Sequence, residues 1–186
     1  MRILLWEVCL HRAPTVDKYC KRCDRKSEFE SSGLFRVNSQ QKNLEIWHIY
    51  KCQICDTTWN LTVFSHLNSK SINQGLLERY ANNDYDLALL HATDTALIKR
   101  NGTKCNVADA YITGEDYVPY ETAEIRLSTG WSLENKAATL IRQKLCLSAN
   151  QFDRLIIEGR IISLSGHNLM KCKMSGTIIF QVKPHS

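Results

Sequence analysis

Two cysteine pairs constrain the fold of this chain more than any other feature. They lie within residues 19–60 as Cys20-Lys-Arg-Cys23 and Cys52-Gln-Ile-Cys55. Four thiolates presented by two Cys-x-x-Cys turns are the ligand set of a tetrahedral zinc site. The 28 residues between Cys23 and Cys52 exceed the usual ribbon loop, but the added loop-closure free energy is only about 0.4 kcal/mol. Zinc binding contributes roughly 10–16 kcal/mol, so we predict a zinc-ribbon-like domain with a structural Zn2+.

Other roles for these cysteines are less favoured. Two disulfides need an oxidising compartment, which nothing in the sequence indicates. A thioredoxin-like redox site needs one pair at a strand-to-helix junction rather than two symmetric pairs. A catalytic zinc keeps an open coordination position, and four cysteines leave none. His48 and His66 are the nearest histidines in sequence, and we interpret both as strand-face residues rather than ligands.

Composition indicates a globular protein with one core or two small ones. Of the 186 residues, 44% are hydrophobic and 23% are charged. No run approaches a membrane span, and residues 1–15 lack the cleavage site of a signal peptide. The other four cysteines are scattered, as is typical of reduced thiols: Cys9, Cys105, Cys146 and Cys172. These features predict a cytoplasmic protein with no membrane association.

The positive charge is concentrated in the C-terminal third. Residues 131–186 contain eight Lys/Arg and three Asp/Glu, whereas residues 1–130 contain sixteen of each. This asymmetry indicates either a polyanionic partner or a solvated basic face. A second basic group surrounds the first cysteine pair, where it either offsets the charge of a zinc tetrathiolate or contacts phosphate: Lys18, Lys21, Arg22, Arg25 and Lys26.

Hydrophobic periodicity predicts an α+β chain of three segments. Residues 1–68 alternate as strands and are expected to form the N-terminal zinc-ribbon-like antiparallel sheet. Residues 69–130 are expected to form a helical and strand connector that packs on it, with middle helices separated at Asn82-Asn83-Asp84 and strand structure in residues 108–128. Residues 131–186 are expected to form a helix–helix–strand–turn–strand module that begins after Gly130.

The ribbon strands are predicted at residues 2–9, 33–38, 44–50 and 57–64, with a polar turn at residues 39–43. Aromatic residues recur on these strands: Phe35, Trp47, Tyr50 and Trp59. They either stack nucleic-acid bases or form the ribbon core, and the strand preference of aromatic residues favours the core.

In the C-terminal module, the first predicted helix carries a hydrophobic stripe of Leu133, Ala137, Leu140 and Ile141. Ser148 and Gln151 fit a capping box that opens the second helix. Residues Leu133–Val182 resemble the S4 RNA-binding domain through Leu147-Ser148, Gln151, Arg154-Leu-Ile-Ile-Glu-Gly-Arg-Ile161, Gly166, Lys171, Gly176 and Ile178.

This resemblance implies a C-terminal S4-like αα-hairpin module that presents Arg and Lys to structured RNA, such as tRNA or rRNA. By position, the RNA-binding candidates are Arg154 and Arg160, supported by Lys136, Arg142 and Lys171. Ser132 and Ala149 stand where the S4 pattern has basic residues.

Taken whole, the chain also resembles the DUF1062 family of bacterial proteins. The residues that carry the resemblance are Cys20-Lys-Arg-Cys23, the segments 32–38 and 46–60, Glu78-Arg-Tyr80 and Asn83-Asp84. The resemblance implies a bacterial cytoplasmic protein and no particular activity.

The leading hypothesis is therefore a zinc-stabilised protein that docks structured RNA. The alternative is a protein-interaction or regulatory adaptor with a structural zinc, which the residues at Ser132 and Ala149 favour. We expect no enzyme, because the sequence has no Gly-rich phosphate loop, no Gly-x-Ser-x-Gly elbow and no His/carboxylate cluster.

Overall fold

A computed structural model describes residues 1–40 and 43–184, with 45% of residues in strands and 22% in helices. Two compact units are present, one formed by Ala13–Val107 and the other by Met1–Arg12 with Ala108–Ser186. In chain order the elements are β1 (Arg2–Leu10), β2 (Val16–Cys20), β3 (Arg25–Gln40), β4 (Asn43–Cys52), β5 (Thr58–Asn68), α1 (Gln74–Ala81), α2 (Tyr85–Thr93), α3 (Thr95–Arg100), β6 (Ala110–Thr113), β7 (Ala123–Lys136), α4 (Ala137–Lys144), α5 (Ala149–Ile157), β8 (Ile161–Ser163) and β9 (Lys173–Val182).

The unit Ala13–Val107 is built on a four-stranded antiparallel meander in the order β2-β3-β4-β5. Alternation in β4 places one set of side chains in the core, as the sequence predicts: Leu44, Ile46, His48, Tyr50 and Cys52. This buried face packs with residues of α1, α2 and α3 in one hydrophobic cluster. The polar turn predicted for residues 39–43 includes positions 41 and 42, which lie outside the described residues.

Each of the three helices of this unit begins at an asparagine or aspartate whose side chain caps its N-terminus. Asp84 caps α2 by accepting a hydrogen bond from the backbone N–H of Leu87 at 2.8 Å. The prediction that Asn82-Asn83-Asp84 separates two helices is therefore confirmed. Asp94 caps a further helix, α3, through the N–H of Leu97 at 2.9 Å. This break is not predicted from the sequence, because hydrophobic periodicity continues across it.

The other unit contains a five-stranded sheet in the order β6-β1-β7-β9-β8. β1 and β7 are parallel, with Leu4 opposite Ile125, and the remaining pairs are antiparallel. The first strand thus pairs with residues more than 100 positions away rather than with the cysteine-bearing strands. The sheet shares one core with α4 and α5, in which Leu140 and Phe152 are buried together with strand residues.

The predicted α+β class with a C-terminal S4-like αα-hairpin module is wrong. The chain is mostly β-structure in two sheets, with few short helices. α4 and α5 exist, and the capping box at Ser148 and Gln151 is confirmed. However, they lie against a sheet that includes β1 and β6, so residues 131–186 do not form a module of their own.

The predicted boundary at Gly130 also fails, since β7 continues through it to Lys136. Leu133 and Asn135 are buried on alternate positions of this strand, where the sequence analysis expected a helix. Asn135 is held there because its side-chain amide donates to the carbonyl of Ala108 at 2.9 Å and accepts from its N–H at 3.0 Å. The helix therefore begins only at Ala137.

The longest helices in the described ranges, α2 and α5, have nine residues each. None of the helices there is long and apolar enough to cross a membrane.

Candidate metal centre

Two hairpin turns carry the four cysteines. Cys20 is the last residue of β2 and Cys52 is the last residue of β4. Each is followed three positions later by the second cysteine of its pair, in the turn that leads to the next strand. The residue after each pair, Asp24 or Asp56, has a left-handed backbone with φ of 52° or 58°. The repeated Cys-x-x-Cys-Asp pattern is the sequence signal for these turns, since aspartate tolerates the left-handed conformation.

The turns bring all four sulfur atoms within 4.8 Å of one another. The separations are 3.5 Å between the Sγ atoms of Cys20 and Cys55, and 3.9 Å between those of Cys23 and Cys52. Four sulfurs at about 2.3 Å from a central zinc, in tetrahedral geometry, would lie about 3.8 Å apart. A disulfide would need about 2.0 Å. The prediction that these four residues form one potential metal site is confirmed.

Hydrogen-bond donors surround the second cysteine pair. Burial alone would raise the pKa of Cys52, but backbone N–H groups of Ile54 and Cys55 directed at its sulfur lower the pKa overall. The sulfur of Cys55 lies 3.1 Å from the hydroxyl of Thr57. Hydrogen bonds that the hydroxyl and then the backbone N–H of Thr57 make to this sulfur lower the pKa of Cys55 to about 6. Thr57 is thus a supporting residue that the sequence analysis did not identify.

Cys23, the second cysteine of the first pair, has the opposite shift. Hydrogen bonding to Cys55, followed by burial and by the other two sulfurs, raises the pKa of Cys23 to about 12. Four adjacent thiolates repel one another, and a proton retained on one sulfur relieves that repulsion. A bound cation would replace this proton and allow all four sulfurs to be ligands.

The basic residues near the first pair have several separate contacts. Lys26 forms an ion pair with Asp17 at 2.9 Å. The ammonium of Lys18 lies 4.5 Å from the centre of the Trp59 ring. Arg22 donates to the backbone carbonyl of Cys55 at 3.5 Å, which links the two cysteine turns.

The two histidines do not join the cysteine cluster. His48 is fully buried on β4, with its Nε2 atom 2.7 Å from the hydroxyl of Ser31. His66 lies on β5, with its Nδ1 atom 2.8 Å from a carboxylate oxygen of Glu45. Both positions agree with the predicted strand-face role.

Most of the strand aromatics contribute to packing. Tyr50 is fully buried, and its ring centre lies 5.4 Å from that of Trp59. Phe35 packs against His48 and against Tyr80, with ring centres 4.9 Å apart in each case. These contacts favour the core interpretation over base stacking.

The predicted RNA-binding residues lie on different elements and differ in exposure. Lys136, at the end of β7, is exposed and lies opposite Lys173 in the sheet register, two residues after the exposed Lys171. Arg154 forms an ion pair with Glu158 at 2.6 Å on the exposed face of α5. Arg160 is half-buried and donates to the carbonyl of Lys183 at 3.3 Å.

Arg142, the fifth candidate, lies in the last turn of α4 and is half-buried. The candidates thus do not share one element or one degree of exposure. The resemblance that selected them depends on a module that the fold does not contain.

The chain matches the model of a known family. The family described as a protein of unknown function, DUF1062, matches residues 37–167, which is more than half of the chain. The chain belongs to the DUF1062 family. The matched region includes the second cysteine pair of this DUF1062 protein and begins after the first pair. No curated protein and no solved structure matches the chain.

Proposed function

We propose that this DUF1062 chain is a zinc-stabilised binding protein, in which Cys20, Cys23, Cys52 and Cys55 hold one structural Zn2+. The observation that supports the proposal most directly is the convergence of four cysteine sulfurs within 4.8 Å. Sulfur ligands of this number favour Zn2+ over hard cations such as Mg2+ or Ca2+. Because four thiolates complete a tetrahedral shell, the ion would stabilise the fold rather than activate water.

The metal would join two turns that are otherwise separate along the chain. β2 and β5 are the outer strands of the meander, and the two cysteine turns connect each of them to its inner neighbour. Zinc binding of roughly 10–16 kcal/mol is comparable to the whole stability of a domain. Removal of the metal is therefore expected to unfold the unit Ala13–Val107.

Cobalt substitution tests both the ligand set and the geometry. One equivalent of Co2+ added to the metal-free chain should give the intense visible bands of tetrahedral cobalt and the ultraviolet bands of thiolate–cobalt bonds. Cys52→Ser should alter or abolish these bands, whereas Cys146→Ser, at an exposed cysteine outside the cluster, should leave them unchanged. Octahedral cobalt spectra, or equal loss in both variants, would contradict the proposed site.

The proposed partner is structured RNA, such as tRNA or rRNA. The support is electrostatic: the chain has a formal net charge of +5, and exposed Lys136 and Lys171 lie near Lys173 at one end of the β7–β9 pair. Phosphate contacts of this kind make affinity fall steeply with salt concentration.

The experiment is RNA binding by the wild type and by charge-reversed variants at low and moderate salt. The double variant Lys136→Glu with Lys171→Glu should weaken binding by about tenfold or more. The double variant Lys51→Glu with Lys70→Glu reverses two exposed charges in the other unit and serves as the matched control. Equal effects of the two changes would refute this binding surface.

A protein-interaction adaptor is the second candidate, and the environments of Arg154 and Arg160 favour it. Arg154 and Arg160 were the strongest RNA-binding candidates from the sequence. Arg154 forms an ion pair with Glu158, and Arg160 is half-buried and donates to the carbonyl of Lys183. Under this alternative, the purified metal-loaded chain should bind no RNA at low salt. Salt-sensitive RNA binding would exclude it in favour of the first proposal.

A further inference from the structure

The two cysteines of each turn differ in their exposure to solvent. Cys20 and Cys52, the first cysteine of each turn, are buried, with 1% and 0% of their surface exposed. Cys23 and Cys55, the second cysteine of each turn, are half-buried. Oxidation of cysteine depends on exposure, so a small oxidant in solution meets the second cysteine of each turn first. A metal site that only supports the fold does not require this difference.

Each half-buried cysteine contacts a buried cysteine of the other turn. The Sγ atoms of Cys55 and Cys20 are 3.5 Å apart, and those of Cys23 and Cys52 are 3.9 Å apart. A disulfide requires about 2.0 Å between the sulfurs, so each pair needs to approach by less than about 2 Å. Redox-sensing cysteines have the same arrangement, in which an exposed thiolate lies next to a resolving thiol.

The sheet holds the two turns together through β3. In the β2–β3 register Cys20 lies opposite Arg25, and in the β3–β4 register Cys52 lies opposite Phe29. Arg25 and Phe29 are four positions apart on the same strand. A link between the turns therefore spans two strand ends that the backbone already places side by side.

We propose that the four cysteines form a peroxide-sensitive switch. Oxidation creates one disulfide between Cys20 and Cys55 and another between Cys23 and Cys52, and it releases the metal while the unit Ala13–Val107 stays folded. The release of zinc rests on the structural Zn2+ proposed above, whereas the pairing of the sulfurs rests on their contacts. Transient disulfides that sense oxidants occur in reducing compartments, so the switch does not require an oxidising one.

The oxidation of each pair proceeds in two steps. The sulfur of Cys55 attacks hydrogen peroxide, so that an S–O bond forms, the O–O bond breaks, and the released hydroxide takes a proton to become water. The thiolate of Cys20 then attacks the sulfur of this sulfenic acid, so that an S–S bond forms and the S–O bond breaks. The second hydroxide also takes a proton and leaves as water. The pair thus gives two electrons to one peroxide, and Cys23 with Cys52 reduces a second peroxide in the same way.

Disulfide formation removes the ligands of the metal and replaces its structural role. Metal ligation requires the thiolate form of cysteine, so the loss of all four thiolates frees Zn2+ to the solvent. The new bonds join the same two turns that the metal joined, and a disulfide restricts the unfolded chain. The oxidised chain therefore remains folded without metal, whereas the reduced metal-free chain unfolds.

The test is oxidation of the full zinc-loaded chain with increasing amounts of hydrogen peroxide. A zinc-binding dye should report complete release of the metal at about two equivalents of peroxide per chain, and dithiothreitol should restore zinc binding. Circular dichroism with a chelator present should show more β-structure in the oxidised chain than in the reduced chain. A chain that keeps its zinc after oxidation, or that unfolds as it releases zinc, would overturn the proposal.

Tryptic mapping after the remaining thiols are blocked identifies the disulfides. Trypsin cleaves at the Lys-Arg sequence inside the first turn and separates its two cysteines, whereas the second turn stays in one peptide of residues 52–70. Disulfides across the turns should therefore attach both first-turn peptides to residues 52–70. Fragmentation of that peptide should place Cys20 on Cys55 rather than on Cys52. Attachment to Cys52 instead, or disulfides within each turn, would overturn the proposal.

Cys146→Ser is the matched control, because Cys146 is exposed and lies outside the cluster. This variant should release zinc at the same peroxide concentration and give the same disulfides as the wild type. Absent release in Cys146→Ser would reject direct oxidation of the cluster. Zinc content before peroxide is added tests the proposed function by itself, since a reduced chain without zinc would refute that function, whereas wrong pairing in a zinc-loaded chain refutes the switch alone.

Discussion

Acid should destabilise the unit Ala13–Val107 through His48, a fully buried histidine. Burial, with a smaller contribution from the charge of His91, lowers the pKa of His48 from 6.5 to about 3. The unfolded chain therefore binds more protons than the folded chain between about pH 3 and 6.5. The stability from neutral His48 is complete above this window and is lost as the pH falls through it. We expect a loss of about 2 kcal/mol between pH 7 and pH 5 from this residue.

The assay is urea unfolding of the wild type and of His48→Gln at both pH values, with zinc present throughout. Glutamine is similar in size and can retain a hydrogen bond to Ser31, but it does not titrate. Its stability deficit relative to the wild type should therefore shrink by about 2 kcal/mol at pH 5. Burial also lowers the pKa of His91. Because both proteins contain His91 and the cysteines, the contributions of these residues to the pH dependence cancel in the comparison. His66→Gln, at an exposed histidine, should follow the wild type.

Parallel loss of stability in the wild type and His48→Gln would refute the reasoning, because it would show that neutral His48 contributes nothing to the acid sensitivity.

Four further substitutions test the packing of the other unit and the helix ends by thermal or urea unfolding. Asn135→Ala should cost about 2–4 kcal/mol, because both backbone groups of Ala108 would lose their buried partner; a cost below about 1 kcal/mol would contradict this role. Gly114→Ala should cost more than about 2 kcal/mol, since φ is 110° and the new Cβ would lie 2.3 Å from a backbone carbonyl of β1. Gly102→Ala, with φ of 77° but nothing within 4 Å, should cost about 1 kcal/mol, and equal costs for the two glycines would exclude the steric cause. Ser148→Ala should cost about 1 kcal/mol through loss of the capping box, and no change would show that the cap is dispensable.

Local patterns in the sequence were sufficient to predict the cysteine site. The spacing within Cys20–Cys23 and Cys52–Cys55 fixes how each turn presents its sulfurs, whatever the rest of the chain does. The alternation of Leu44, Ile46 and His48 likewise predicts the buried face of β4. The aspartate caps at the starts of α2 and α3 are also local, although only Asp84 was interpreted as a break.

Local sequence patterns do not predict which strands pair over long distances along the chain. Nothing near Leu4 indicates that β1 will lie parallel to β7, because the partner Ile125 is more than 100 residues away. The start of α4 is similarly hidden: its N-cap, Lys136, makes no side-chain cap, and the N–H of Ala137 instead donates to the carbonyl of Cys172 at 3.0 Å. Without these contacts, helical spacing in residues 133–141 resembled the opening of an S4 module.

A cavity of about 180 Å³ in the unit formed by Met1–Arg12 and Ala108–Ser186 could not be predicted from the sequence for the same reason. Tyr117, Leu147 and Arg160 belong to a loop, a helix connection and a strand start, and only the tertiary fold brings them together. Arg160 was predicted from the sequence to contact RNA phosphate, whereas in the fold it is half-buried and donates a hydrogen bond to the carbonyl of Lys183 at 3.3 Å.

The most direct test of the structural zinc site is the metal content of the purified chain after dialysis against a weak chelator. The wild type and Cys146→Ser should each retain one zinc per chain and unfold cooperatively. Cys23→Ser should lose the metal or bind it far more weakly, with loss of ordered structure in residues 13–107. A wild-type chain that is folded without zinc, or a Cys23→Ser variant that retains zinc and full stability, would contradict the role assigned to the four cysteines.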